Sequence, residues 1–172
     1  MPIEPYAAGS VRSVSGTFHT SNGEYAAEYY TVTVPENRSS DSSRLIHLPV
    51  IRIFSPNKTG AVPVFGLTGG PGVSNLKWKP FDSLLMKHDF IMVGYRGVDG
   101  AATLDCPEVE EAMKSDDDLL SENALRTLGD AWTADAKHLM EKGIDLNAYT
   151  IKEVIADVDD VRKMFGYSRI DL

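Results

Sequence analysis

A glycine-rich loop, Gly69-Gly70-Pro71-Gly72, is the stretch of this sequence best suited to chemistry. Thr68 opens the turn to this loop after a short apolar run at residues 62–67, which predicts a buried strand. Glycine adopts positive φ and lets other atoms approach the backbone closely, whereas proline has no N–H. The loop can therefore present bare backbone N–H groups to an oxygen atom of a ligand. Because glycines also punctuate ordinary turns, a tight strand-to-helix turn without a ligand is the alternative that these residues leave open.

Nucleophiles and metal ligands, by contrast, are not spaced in a catalytic pattern. Ser74 and Ser168 each follow a glycine by two residues, but neither lies in G-x-S-x-G. The 4 histidines form no H-x-x-x-H or H-E-x-x-H spacing, and the acidic run at 116–118 is interpreted as a solvated loop. We interpret the single cysteine, Cys106, as a packing residue. We therefore expect no metal site and no catalytic triad within this sequence.

A dinucleotide cradle is a second interpretation of the glycines, since residues 70–75 read G-x-G-x-x-N. The Rossmann fingerprint has a third glycine and uses backbone N–H groups to hold pyrophosphate. This loop has Asn75 in place of that glycine, and Pro71 has no N–H. The next apolar run ends in Tyr95-Arg96-Gly97, without the acidic residue that would hold a ribose. We therefore disfavour nucleotide binding and expect no cofactor.

The elements that must position the loop begin with an antiparallel meander. Strand-like runs lie within 16–34, with Asn22-Gly23 as a hairpin turn, and at 45–54. Pro49 suits an edge strand or an irregular antiparallel strand better than a central one, because proline cannot donate to a sheet ladder. The apolar runs at 62–67 and 90–93 flank a short predicted helix at 79–87. That pattern predicts a parallel βαβ unit and an α/β fold.

Two amphipathic helices are predicted in the rest of the chain. Leu125, Leu128, Trp132, Ala136 and Leu139 form one apolar face. Residues 150–153 form a capping box, and the helix that follows has a buried stripe from Val154 to Phe165. Residues 169–172 read as the first residues of another strand. We expect a loose arm at 1–15 and one domain at 16–172 that is incomplete at its C-terminus.

Composition restricts the partners of this 172-residue chain. Its formal net charge of −8 disfavours a nucleic-acid surface, which needs clustered Lys and Arg. No apolar run approaches the roughly 18 residues of a membrane span. The first residues lack the basic-then-apolar pattern of a signal peptide. We expect a cytoplasmic protein with no nucleic-acid or membrane partner.

The order of these motifs resembles the α/β-hydrolase fold, and within it the proline-iminopeptidase-like and tripeptidyl-aminopeptidase-like serine peptidases. The resemblance covers residues 45–172 and rests on GGPG after a buried strand, the R-G turn at Arg96-Gly97 and the helical segment ADVDDVRKMFGY. Thr68 stands where many members of the family have His. Gly94 stands where the R-G turn usually has an acidic residue.

The resemblance implies roles for the two loops. The loop from Gly69 to Gly72, Pro71 included, would supply an oxyanion-hole amide, and Tyr95, Arg96 and Gly97 would form a turn that braces the floor of the site. The same resemblance makes three residues of the last helix structural, namely Asp157, Asp160 and Arg162.

The family's nucleophile elbow, acid and histidine would lie beyond Leu172. The expected function is that of an N-terminal fragment of a serine hydrolase, truncated before the elbow. The intact enzyme would be an aminopeptidase-type peptidase acting by acyl transfer on peptides or on small esters and amides. We expect the chain alone to be inactive. The alternative is a non-catalytic interaction piece or split-hydrolase half that needs a complementing chain.

Overall fold

A computed structural model of the chain describes residues 8–57, 59–70, 72–101, 103–114, 118 and 120–172. Two compact units are present. The first contains the described residues up to Thr103 together with Tyr149–Leu172, and the second is Leu104–Ala148. The sequence predicted a single domain over 16–172 and gave no sign of this division.

The first unit is built on a mixed sheet. Within the described residues it has five strands, β1 (Val11–His19), β2 (Glu24–Pro35), β3 (Leu45–Ile53), β4 (Val64–Gly66) and β5 (Phe90–Val93). Their spatial order is β1-β2-β3-β5-β4. The pairs β1–β2, β2–β3 and β3–β5 are antiparallel, and β4–β5 is parallel. The predicted antiparallel meander and the parallel pair that follows it are both present.

Strand β1 includes residues 11–15, which were predicted to belong to a loose arm over residues 1–15. The strand begins at Val11, which pairs with Val32 of β2, so the prediction is wrong from residue 11 onward. Residues 1–7 lie outside the described part of the chain. Because β1 is exposed along nearly its whole length, its sequence shows little of the apolar alternation by which a half-buried strand is recognised.

Strand β3 corrects a second prediction, since it lies inside the sheet between β2 and β5, and Pro49 is therefore not on an edge strand. The ladder between β3 and β5 covers only Val50–Ile53, so Pro49 falls just outside it. The carbonyl of Pro49 still accepts a hydrogen bond from the Gly94 N–H at 2.8 Å. An interior strand accommodates proline here because the neighbouring strand ends at the position where its N–H would be needed.

Helices cover the two faces of this sheet. Helix α1 (Asp82–Leu85) packs Leu85 with Phe90 and Met92 of β5, and it is shorter than the helix predicted at 79–87. On the alternate residues of β5, Ile91 and Val93 pack with Val161 of the last helix, which spans Ile151–Met164. Because successive side chains of a strand point to opposite faces, these two helices lie on opposite sides of the sheet.

The last helix of the first unit begins at the predicted capping box. The Thr150 hydroxyl accepts a hydrogen bond from the Glu153 N–H at 3.4 Å, and Gly166, with φ of 71°, follows the helix end. The chain then returns to the sheet, where Asp171 forms a parallel bridge with Val64 of β4. The residues after this helix therefore lie beside β4, on the side away from β5.

The second unit contains helices α2 (Pro107–Ala112) and α3 (Glu122–Glu141), so the helix at Ile151–Met164 is α4. The predicted apolar face of α3 is only partly buried, because Leu139 is buried while Leu125 and Trp132 are about half exposed. Asp135, which is not part of the predicted apolar face, is also buried on α3. Its carboxylate accepts a hydrogen bond from the Val109 N–H at the start of α2. Across the described residues, no helix has the length and apolar character that crossing a membrane requires.

Candidate functional site

The candidate site lies at the carboxyl ends of β4 and β5, which run parallel and end at the same edge of the sheet. The glycine loop follows β4 and leads to α1 on one face, whereas the helix that follows β5 within the same unit, α4, covers the other face. Ligands of α/β sheets bind where successive connections leave in opposite directions, because a crevice opens between the two loops. The structure thus brings together the two loops that the sequence singled out.

The glycine loop is exposed and has the backbone conformation that only glycine adopts readily. Gly70 has φ of 101° and Gly72 has φ of 76°, and the Gly70 carbonyl accepts from the Val73 N–H at 3.2 Å. In the part of the chain that the structure describes, the N–H groups of Gly69, Gly70 and Gly72 donate no hydrogen bond. Pro71 lies outside the described residues. The loop therefore offers glycine amides to an acceptor from outside.

Asn75 holds the base of this loop, a role that sequence reasoning missed. Its side chain is fully buried, and Nδ2 donates to the carbonyls of Gly66 at 2.9 Å and Val93 at 2.8 Å. Its Oδ1 accepts from the Thr68 N–H at 2.9 Å. One amide thus ties the ends of the two parallel strands to the first residue of the loop. In the sequence Asn75 was noticed only as the residue that replaces the third Rossmann glycine.

Asp99 joins the two loops from the other side. Its carboxylate accepts from the Ser74 hydroxyl, from the Asn75 N–H at 3.2 Å and from the Tyr95 N–H at 2.9 Å. The Ser74 hydroxyl also accepts from the Leu76 N–H, so it caps a short 3-10 turn and is engaged in structure. Asp99 was not identified from the sequence, which drew attention to Gly94 instead.

Gly94 lacks the acidic side chain expected at this turn because there is no room for one. A Cβ atom on Gly94 would lie 2.8 Å from Cγ of Pro49 and 2.9 Å from Cβ of Asp99. The carboxylate of the turn is instead provided five residues later by Asp99. The absence of a side chain at position 94 therefore has a packing cause, and the carboxylate at this turn is that of Asp99.

Tyr95 connects the turn after β5 to the glycine loop. Its hydroxyl accepts from the Thr68 N–H and donates to the Thr68 carbonyl, both at 3.1 Å. Burial raises the pKa of Tyr95 above its ordinary value, so the hydroxyl stays protonated and remains a donor at neutral pH. The Thr68 hydroxyl itself is buried without a hydrogen-bond partner among the described residues.

Arg96 braces the same turn against α4. Its buried guanidinium donates through Nε and Nη2 to the two carboxylate oxygens of Asp157, each at 2.7 Å, and also to the Glu36 carbonyl. Arg38 adds bonds to Asp157 and Asp160, each at 2.7 Å. Gly97, with φ of 81°, completes the turn. The guanidinium and carboxylate groups of this network are paired with one another inside the protein. The network therefore positions the crevice, and the glycine amides are the groups that can bind a ligand.

An apolar groove of about 810 Å³ adjoins the glycine loop. Leu67, Val73 and Val98 lie on the side of the loops, and Ile151 and Ile155 of α4 form the opposite wall. Both isoleucines are exposed, at 80% and 63%. A ligand in the groove would thus meet an apolar wall and, at one end, free backbone donors.

Comparison with known protein families finds none that matches this chain. No characterised protein matches its sequence either. We therefore infer a function from the geometry of the crevice and from the order of the motifs around it.

Proposed function

We propose that the crevice at the ends of β4 and β5 is the oxyanion-stabilising part of an α/β-hydrolase active site. The protein would be the N-terminal portion of an aminopeptidase-type serine hydrolase that cleaves peptides or small esters and amides. The observation that carries this proposal is the set of glycine N–H groups, at Gly69, Gly70 and Gly72, which have no acceptor among the described residues and lie at a topological switch point.

The position of the loop in the sheet supports the proposal. In α/β-hydrolases one oxyanion donor comes from the loop between the third strand and the first helix. Counted from β2, β4 is the third strand of this sheet, and its loop leads to α1. Such a donor stabilises the charge that develops on the substrate carbonyl oxygen when a nucleophile attacks, and it is worth about 3–4 kcal/mol of the barrier.

The bridge between Val64 and Asp171 supports a place for the nucleophile. A strand that continued from Asp171 parallel to β4 would, in this register, reach the level of Gly69 after about five residues. A serine on a sharp turn at that point would lie beside the glycine amides. The sequence of 172 residues contains no G-x-S-x-G, so we propose that serine, acid and histidine are supplied from outside it.

Titration of the ¹⁵N-labelled chain with a carboxylate product tests the oxyanion role. A dipeptide with a free carboxylate should shift the amide resonances of Gly69, Gly70 and Gly72, because a product carboxylate places an anionic oxygen where the oxyanion forms. The C-terminal amide of the same dipeptide is the matched ligand control and should shift them far less. Gly129 and Gly143, which belong to the second unit, should not respond to either. Equal shifts with both ligands, or none at the loop, would contradict the proposal.

A fluorophosphonate probe tests the proposed lack of a nucleophile. The isolated chain should show no stoichiometric labelling, because an oxyanion donor without an activated serine cannot open a substrate bond. A single labelled serine would show that the nucleophile lies within these residues and would overturn this part of the proposal.

A split-hydrolase half is the second candidate, favoured by the groove beside β4. The exposed isoleucines of α4 and the Leu67 N–H, which donates no hydrogen bond within the described residues, form a surface that a strand and helix of another chain could cover. Co-purification with a chain that carries G-x-S-x-G, and peptidase activity of that complex, would support this function. A soluble monomer that gains no activity with such a chain would count against it.

A further inference from the structure

The outer edge of β1 is the longest open strand edge in the described part of the sheet. Strand β1 is first in the strand order, and among the residues that the structure describes it pairs with β2 alone, from Val11↔Val32 to His19↔Glu24. Its residues are exposed along almost the whole strand. An open edge of nine residues is a template for pairing with another strand.

The hydrogen bonds at the two ends of the β1–β2 ladder show which backbone groups face outward. Thr33 N–H donates to the Ser10 carbonyl at 3.0 Å, and Thr20 N–H donates to the Gly23 carbonyl at 2.9 Å. Bonded pairs alternate along an antiparallel ladder, so the even-numbered residues of β1 bond to β2. The odd-numbered residues direct their N–H and C=O groups to the open edge, and these are Val11, Ser13, Ser15, Thr17 and His19.

The edge lacks the usual devices that prevent strands from pairing. The sequence VRSVSGTFH contains no proline and no lysine, and Arg12 is its only residue with a full charge. Val14 is 69% exposed, and it lies beside Tyr29 of β2, whose ring covers Gly16. The Tyr29 hydroxyl donates to the Thr17 carbonyl at 2.9 Å, which leaves the second lone pair of that oxygen available.

We propose that two copies of this chain associate through β1, in antiparallel register about a twofold axis at Ser15. Ser15 then faces Ser15 of the second copy, Ser13 faces Thr17, and Val11 faces His19. All of these residues direct their backbone groups to the edge, so the register forms about ten hydrogen bonds, two for each bonded pair. The result is one sheet that continues through both molecules.

Side chains fit the same register. Arg12 lies opposite Phe18 of the second copy, which avoids a like-charge pair and allows a cation–π contact. Val14 lies opposite Gly16 of the second copy and therefore beside the Tyr29 ring that covers it. Val14 and Tyr29, two of the exposed apolar side chains at this edge, are thus buried by the same association. The contact is small compared with a standard interface, so the dimer is reversible.

Engineered cysteines test the register directly in a Cys106→Ser background. Ser15→Cys places two sulfur atoms on the twofold axis, where bonded antiparallel residues have Cα atoms about 5.5 Å apart, within disulfide range. Val11→Cys is the matched control, because the two copies of residue 11 would lie roughly 27 Å apart along the strands. We expect a covalent dimer with Ser15→Cys and little with Val11→Cys. Equal cross-linking of the two variants would overturn the register.

Sedimentation equilibrium of the intact chain tests the association itself. The unmodified chain should show a concentration-dependent monomer–dimer equilibrium, and Val14→Lys should shift it to monomer, because two lysines would lie close together near the axis. Val14 is exposed, so at a concentration low enough for both proteins to be monomeric the denaturation midpoint of the variant should not change. A chain that stays monomeric across the concentration range, or a dimer that Val14→Lys leaves intact, would overturn the proposal.

Discussion

Single residues at the crevice show where sequence reasoning reaches its limit. Gly69, Gly70 and Gly72 could be identified because glycines clustered directly after a buried strand indicate a sharp turn or a close approach to the backbone. Asn75 could not, since asparagine is common in turns and its three side-chain bonds join residues that are 7 to 18 positions away. Asp99 was missed for the same reason, because two of its partners, Ser74 and Asn75, lie in a different loop. Contacts of this kind follow from the fold and leave no local pattern.

Replacement of Asn75 by alanine should be strongly destabilising. The change leaves the buried carbonyls of Gly66 and Val93 without the donor that the side chain provides, and each such group costs about 1–3 kcal/mol. We expect a loss of about 2–4 kcal/mol in the free energy of unfolding, measured by urea denaturation. Asn147→Ala is the matched control, since Asn147 is exposed and its side chain donates to Asp145, two residues away. A similar loss for both variants would show that Asn75 does not hold the strand ends.

Among the elements, those with local signals were predicted and those defined by distant contacts were not. The hairpin at Asn22-Gly23 and the capping box at Thr150 are confirmed, because turn residues and caps act within a few positions. The edge position considered for β3 is wrong, since the rule for proline concerns the ladder and takes no account of where a neighbouring strand ends. The attachment of the hairpin to α1 through Asp82 also has no local signal.

The Asp82 carboxylate makes this attachment depend on pH. It accepts from Thr20 at 2.7 Å, from Asn22 at 2.9 Å and from Tyr25 at 2.8 Å. The hydrogen bond from Thr20 has the largest effect, and together these bonds hold the pKa of Asp82 below its ordinary value. A carboxyl group whose pKa is lower in the folded state stabilises the fold above its ordinary pKa of about 4. That stabilisation is lost as the pH falls through the folded-state pKa.

Asp82→Asn should therefore reduce the stability difference between neutral and acidic pH. Urea denaturation of the variant and of the unmodified chain at pH 7 and near pH 3 gives four free energies of unfolding. We expect the two proteins to differ at pH 7 and the difference to be smaller near pH 3, because the native carboxyl group gains its proton as the pH falls toward its lowered folded-state pKa. Asp41→Asn, in an exposed polar loop, serves as the control. Its free energy of unfolding should stay close to that of the unmodified chain at both pH values. A gap between Asp82→Asn and the unmodified chain that stays constant with pH would contradict the role of the carboxylate.

Over the whole molecule, the pattern of apolar runs was enough to predict an antiparallel meander followed by a parallel pair. It was not enough to predict the division into two compact units, because the helices of Leu104–Ala148 look like ordinary amphipathic helices in the sequence. The same limitation applies to α4. Its stripe from Val154 to Phe165 was assigned to the core, yet Ile151 and Ile155 form a second apolar face that is exposed. A helix of this kind buries one face against the sheet and presents the other to the groove.

The exposed wall of the groove should make the isolated chain bind hydrophobic dyes. The fluorescence of anilinonaphthalene sulfonate should be high with the unmodified chain and roughly two-fold lower with Ile155→Glu, because the substitution places a charge in the apolar wall. Leu125→Glu is the matched control, since Leu125 is also exposed but belongs to α3 in the second unit, outside the groove. Ile155 is 63% exposed, so its substitution should leave the melting temperature nearly unchanged. If the two variants reduced dye binding equally, the dye would not be reporting on the groove. The groove beside the glycine loop would then not be the site where the dye binds.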